Sequence, residues 1–108
     1  MRGSVGARLT GHAYQRCEDC GAAIHPRRML CPACGSRRLG DARSAGAGVV
    51  YSTTTVHARE GSYNVALVDL DEGFRVMSEV VGIAPDDVRI GMAVRARDDG
   101  ERIVFHAA

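Results

Sequence analysis

From Val49 to the C-terminus, apolar and polar residues alternate with the period of two that marks half-buried strands, and β-branched residues dominate. Val49 to Ala58 (VVYSTTTVHA) forms the first predicted strand, with three consecutive threonines. Tyr63 to Leu70 (YNVALVDL) forms the second. It is apolar on both faces near its middle, which predicts a strand covered on both sides. Asp71-Glu72-Gly73 is a turn signal, and Phe74 to Val81 (FRVMSEVV) returns from it with Phe74, Val76, Ser78 and Val80 on one face. The pair predicts a hairpin across Gly73. Pro85-Asp86-Asp87 suits one helical turn, because Pro fits the first position and carboxylates favour the N-terminal end. Gly91 is expected to end that turn. Met92 to Arg97 and Glu101 to His106 flank a further turn at Asp98-Asp99-Gly100. Five short strands with a helical turn between the third and fourth predict a small closed barrel of the OB type over 49–108. Closure removes the edges that such short strands could not otherwise protect. A small open sandwich is the alternative.

The first part of the chain reads differently. Residues 1–16 carry no periodic apolar pattern, and 1–13 are assigned as a lead-in. Residues 14–40 hold all four cysteines, and 41–48 (DARSAGAG) are small and read as a linker. The cysteines fall as Cys17-Glu18-Asp19-Cys20 and Cys31-Pro32-Ala33-Cys34, ten residues apart. Two residues between cysteines let both sulfurs face one point across a tight turn. Gly21 and Gly35 each follow the second cysteine and permit the left-handed backbone that turns amide N–H groups toward thiolates. Four sulfurs from two such knuckles predict a closed tetrahedral site for one structural Zn²⁺. A redox dithiol would sit at a strand-to-helix junction, which the pattern lacks. Rubredoxin-like iron shares the Cys₄ geometry and stays open. His25, between the knuckles, reads as a surface residue.

Composition narrows the function. Formal net charge is +1 over 108 residues, which gives no field for steering to nucleic acid or acidic membranes. Aromatic residues make up 5% of the chain, few for a platform that stacks bases. No apolar run is long enough to span a bilayer. Met1-Arg2-Gly3-Ser4 is not followed by the apolar segment of a signal peptide. A cytoplasmic protein with reduced, metal-binding thiols is the expectation.

The stretches Arg16 to Gly35 (RCEDCGAAIHPRRMLCPACG), Gly48 to His57 (GVVYSTTTVH), Val65 to Gly73 (VALVDLDEG) and Val81 to Val94 (VGIAPDDVRIGMAV) carry a resemblance. In that order they resemble the zinc-ribbon plus OB-fold proteins that accompany thiolase-like and other acyl-CoA enzymes. The resemblance implies a rubredoxin-like ribbon followed by an OB barrel. It also implies a non-catalytic accessory subunit that binds a thiolase-like or ketoacyl-synthase-like enzyme in a hetero-oligomer and helps hold or pass acyl-CoA. Some relatives are fused or bound to hydratase-like or aldolase partners. Family members often carry a longer helix before the ribbon than residues 1–13 supply.

With Cys17, Cys20, Cys31 and Cys34 committed to metal, no thiolase-type nucleophile remains. No nucleophile elbow, phosphate loop or dinucleotide fingerprint is present. The pairs Asp86-Asp87 and Asp98-Asp99 read as turn residues, and His57 as a half-exposed strand residue. Arg27-Arg28 and Arg37-Arg38 flank the second knuckle and could hold the phosphates of coenzyme A, pair with acidic groups, or simply face solvent. No catalytic residue is expected. The alternative function is a single-stranded nucleic-acid module, with Tyr51, Tyr63 and Phe74 lining its face. The two-unit reading makes a prediction. Cys31→Ala should release zinc and unfold the ribbon while the barrel persists as a weakened, separately folded unit with its own melting transition by calorimetry. A single cooperative loss of all structure would contradict it.

Overall fold

The computed structural model describes residues 11–100 and 102–108. The lead-in therefore lies mostly outside the described residues. The fold is a three-stranded ribbon sheet joined to a closed six-stranded barrel.

The ribbon consists of β1 (Ala13–Cys17), β2 (Ala23–Ile24) and β3 (Leu39–Arg43), with β1 in the centre. Strand β1 runs antiparallel to β3 from Cys17 opposite Leu39 to Ala13 opposite Arg43. This corrects two expectations. Residues 13–16 are strand, although their alternation is too short to register as a pattern. The first three residues of the expected linker 41–48 are strand as well, and its last two begin the next one. Small residues can follow a strand wherever a partner strand supplies the ladder of hydrogen bonds, and β1 supplies it here. The true connection is Ser44–Gly46.

The barrel is built from β4 (Ala47–Ala58), β5 (Gly61–Leu70), β6 (Arg75–Ser78), β7 (Val80–Val81), β8 (Ala93–Asp98) and β9 (Ile103–Ala107). Their order is β6-β5-β4-β8-β9-β7. The expected single strand 74–81 breaks at Glu79, and the break closes the barrel. Strand β6 pairs with β5 on one side, while β7 pairs in parallel with β9 on the other, Val80 opposite Phe105. The buried Asn64 of β5 holds this seam. Its side-chain oxygen accepts from the Val80 backbone N–H at 3.2 Å, and its amide donates to the Thr53 hydroxyl. A polar group so placed is fully used, which is the condition for burying it.

The hairpin across Gly73 forms as expected, with Asp69 opposite Arg75. Pro85–Asp87 makes a 3₁₀ turn. Gly91 does not end it. The turn stops at Asp87, and Gly91 lies in a second turn where its N–H donates to Val50. The last strand spans Ile103–Ala107.

The inner faces of the strands fill the barrel with Val50, Val68, Val76, Val94 and Phe105, all buried. The ribbon caps one end of this core. Tyr14 of β1 stacks on Phe74 with ring centroids 4.7 Å apart, and His25 lies 5.3 Å from the same ring. His12 stacks on Phe105 at 5.8 Å. The connection is also tied to the barrel. Glu72 accepts from the Ser44 hydroxyl at 2.7 Å and from the Ala45 backbone N–H at 2.9 Å, and its carbonyl accepts from Arg16 at 3.3 Å. Burial alone would raise the Glu72 carboxyl, but these two donors outweigh it and hold the group below its ordinary value.

Phe74 thus belongs to both units. Phe74→Ala should lower stability by about 3 kcal/mol, the usual cost of emptying a buried aromatic site. Denaturant titration would measure it. Zinc content should be unchanged, since no ligand is touched.

Candidate metal centre

Cys17 ends strand β1, and Cys20 follows through a tight turn. Cys31 and Cys34 repeat the arrangement on the second knuckle. The hydrogen bonds repeat too. The Gly21 N–H donates to the Cys17 carbonyl at 2.9 Å, and the Gly35 N–H to the Cys31 carbonyl at 2.8 Å. The Cys17 N–H reaches the Ala22 carbonyl and the Cys31 N–H the Ser36 carbonyl in the same way. Gly21 and Gly35 have φ of 79° and 81°, the left-handed conformation that a side chain would strain. Further backbone N–H groups point at sulfur, from Cys20 to Cys17 at 3.5 Å and from Ala33 to Cys31 at 3.4 Å.

The two knuckles bring all four sulfurs within 4.8 Å of one another. Cys17 and Cys34 sulfurs lie 3.6 Å apart, as do those of Cys20 and Cys31. Zn–S bonds of about 2.3 Å at the tetrahedral angle place neighbouring sulfurs about 3.8 Å apart, so the set fits such an ion. Cys17 and Cys31 are buried, whereas Cys20 and Cys34 face outward.

The protein's own groups split the thiols within each close pair. The Cys20 backbone N–H, opposed by burial, draws Cys17 down to about 6. Cys34 is pushed up to about 12. The Ser36 backbone N–H favours its thiolate, but the adjacent Cys17 sulfur and burial outweigh that. Cys31 is lowered, since N–H groups of Cys34 and Ala33 overcome the effect of burial. Cys20 is raised, since the Cys31 sulfur and burial overcome the Ala22 N–H. One sulfur of each pair therefore keeps its proton near neutrality.

The other candidates fall as follows. His25 is exposed, and its Nδ1 lies 3.2 Å from the Ala13 carbonyl. Its contact with Phe74 gives it a packing role that a histidine between two knuckles does not signal in sequence. His57 is exposed and pairs with the Ser62 hydroxyl at 2.9 Å. Arg27 pairs with Asp41 at 2.7 Å, and Arg38 with Asp19 at 3.3 Å and Glu18 at 3.5 Å. Two of the four knuckle arginines are thus already matched by carboxylates of this chain. Among the described residues, no helix is long and apolar enough to cross a membrane.

Residues 13–40 match the family described as ChsH2, rubredoxin-like zinc ribbon domain. Residues 42–97 match ChsH2, C-terminal OB-fold domain. The chain belongs to the ChsH2 zinc-ribbon and OB-fold family. Its ribbon is accordingly a zinc ribbon, and the metal is structural zinc. A probable enoyl-CoA hydratase alpha subunit of Thermomonospora curvata is 46% identical over 85 residues, 74% of this chain and 27% of that protein. This chain thus spans about a quarter of that relative's length. A DUF35 domain-containing scaffold protein of Methanocaldococcus jannaschii is 33% identical over 98 residues, 80% of this chain and 70% of that one. Among solved structures, a chain of "Ltp2-ChsH2(DUF35) aldolase" superposes with a TM-score of 0.76 at 40% identity, over 88% of this chain and 83% of that one. A DUF35-family protein of unknown function from Sulfolobus solfataricus shares the fold at 17% identity and a TM-score of 0.68, over 89% of this chain and 75% of that one.

For a ChsH2-type ribbon with these thiol positions, metal uptake must displace the protons that Cys20 and Cys34 retain. Both are raised above their ordinary value, so the protons are present throughout the neutral range. Apparent zinc affinity should therefore fall as pH drops from 8 to 6, by about 100-fold per unit or more, since at least these two protons are displaced. Competition with a chromophoric chelator across pH 6 to 8 would give the slope. A flat profile would contradict the assignment.

Proposed function

We propose that this ChsH2-family chain is a non-catalytic accessory subunit of a thiolase-like acyl-CoA enzyme, working in the cytoplasm. One structural zinc is held by Cys17, Cys20, Cys31 and Cys34. The observation that carries the reading is the convergence of these sulfurs. The chain has four cysteines, and all four lie in one cluster. A saturated Cys₄ site offers no open position for a substrate, and no thiol is left to attack a thioester.

The relatives support a role beside an enzyme. Several are named scaffold proteins, one a hydratase alpha subunit, and one solved structure pairs ChsH2 with Ltp2. The chemistry catalysed by the partner, acyl transfer or thiolytic C–C cleavage, is supplied by that partner's own residues. This chain contributes a folded surface and supports assembly and the handling of acyl-CoA by the partner.

The nucleic-acid reading loses its platform. Phe74 is buried beneath Tyr14 and His25. One face of the half-exposed Tyr51 ring is stacked by the Arg75 guanidinium at 3.4 Å, and Asp69 neutralises that arginine. Tyr51 and Tyr63 stay half-exposed, so the three aromatic candidates do not form one stacking face with Phe74.

The test is affinity purification of the tagged chain from native extract, with mass spectrometry and acyl-CoA assays on both the complex and the isolated chain. One stoichiometric thiolase-like enzyme should be recovered, with turnover in the complex and none in the chain alone. Turnover of an acyl-CoA thioester by the isolated chain would overturn the reading, as would recovery of RNA-processing components in place of the enzyme.

A further inference from the structure

We propose that His12 and His25 form a proton-sensitive latch in the seam between ribbon and barrel, closed while His12 is neutral and opened when it takes up a proton. The latch belongs to this chain alone and does not depend on the identity of any partner.

His12 stands one residue before β1, and its carbonyl accepts from the Ser44 backbone N–H at 2.9 Å. Its half-buried ring lies on Phe105, with planes 13° from parallel. Phe105 is completely buried and sits opposite Val80, where the barrel closes. The imidazole therefore joins the start of the ribbon to the closing strand. His25, beyond β2, meets His12 edge-on at 6.0 Å and rests on Phe74. The two histidines together contact both phenylalanines of the barrel core.

A proton on His12 finds no acceptor in this seam. The Nδ1 atom is buried and has no hydrogen-bond partner among the described residues. A neutral imidazole can leave that nitrogen unprotonated. In the imidazolium both nitrogens are donors, and this one would be buried without an acceptor.

The charged groups around the ring do not compensate. His25 faces it from the ribbon. Arg43 of β3, which donates to the Gly11 carbonyl at 3.1 Å, opposes a positive charge on it. Asp98 and Arg102 line the same cavity as His12. The Asp98 carboxylate accepts from the Gly100 N–H at 2.8 Å, and Arg102 pairs with Glu79 at 2.5 Å. Neither carboxylate reaches the buried nitrogen. Burial, then His25 and Arg43, hold His12 below the ordinary histidine value of 6.5. An undocked ring takes its proton more readily. Docking is therefore at full strength above about pH 6.5 and weakens as pH falls below it. The metal ligands stand apart from this titration, since each histidine is five residues from the nearest cysteine.

Hydrogen exchange on the zinc-loaded chain tests the latch at the Ser44 amide, which loses its acceptor when His12 moves. The readout is the Ser44 opening constant of the wild type divided by that of His12→Phe, a variant that keeps a ring on Phe105 and takes no proton. This ratio should rise about tenfold between pH 7.5 and 5.5, the linkage of one proton to an undocked imidazole. Zinc loss in acid acts on both proteins and cancels in the ratio. Ring-carbon NMR shifts of the wild type give a second reading that no substitution disturbs. His12 should titrate below 6.5, and its midpoint should move up in His25→Gln. A ratio that stays constant with pH, or a His12 ring that titrates at or above 6.5 in the wild type, would overturn the latch.

Discussion

Four sulfur atoms within 4.8 Å of one another cannot all be thiolates without a cation between them. The rest of the ribbon depends on that constraint. Its buried apolar residues are Cys17, Ile24 and Cys31, with Ala22 and Leu39 partly covered. So small an apolar cluster cannot offset the entropy of ordering three strands and two knuckles. Metal binding replaces the missing core, as in other small zinc domains. The dependence runs outward from there. Cys17 ends β1, β1 carries Tyr14, and Tyr14 covers Phe74 at the mouth of the barrel. A ligand set at one end of the molecule thereby fixes an aromatic contact in the core of the other.

How much of this was legible in the sequence depended on how far each segment's order is local. The cysteine spacing announced the cluster because two residues between ligands are nearly sufficient to form a knuckle. The barrel strands were legible where alternation ran for six residues or more, as in Tyr63 to Leu70. Strand β1 escaped notice because five residues with Gln15 buried and Ala13 exposed show no clear period. Gln15 is buried because its side-chain oxygen accepts from the Arg28 backbone N–H at 2.7 Å, a partner thirteen residues away. The last three residues of strand β3, Asp41 to Arg43, read as linker because Asp and the small residues around it have poor strand propensity, and pairing with β1 overrides it. The break at Glu79 was invisible for a similar reason. It answers to ring closure against Phe105, which no local pattern encodes.

The surface shows the same division between local and distant causes. For the arginines beside the second knuckle, the sequence leaves phosphate, carboxylate and solvent all open as partners. In the fold, Arg27 and Arg38 meet Asp41, Asp19 and Glu18, which approach from other strands and turns. These exposed pairs add little to stability. They do lower the free positive charge on the ribbon. The outward side of β5 is the reverse case, where sequence called for a cover that the folded chain does not provide.

The connection between the units is three residues long, and its first member, Ser44, is completely buried. The Ser44 hydroxyl donates to Glu72 and accepts from the Gly46 N–H at 2.9 Å, and its backbone N–H donates to His12 at 2.9 Å. A strap this short, with the Ser44 hydroxyl and backbone N–H both engaged, leaves the ribbon little room to turn against the barrel.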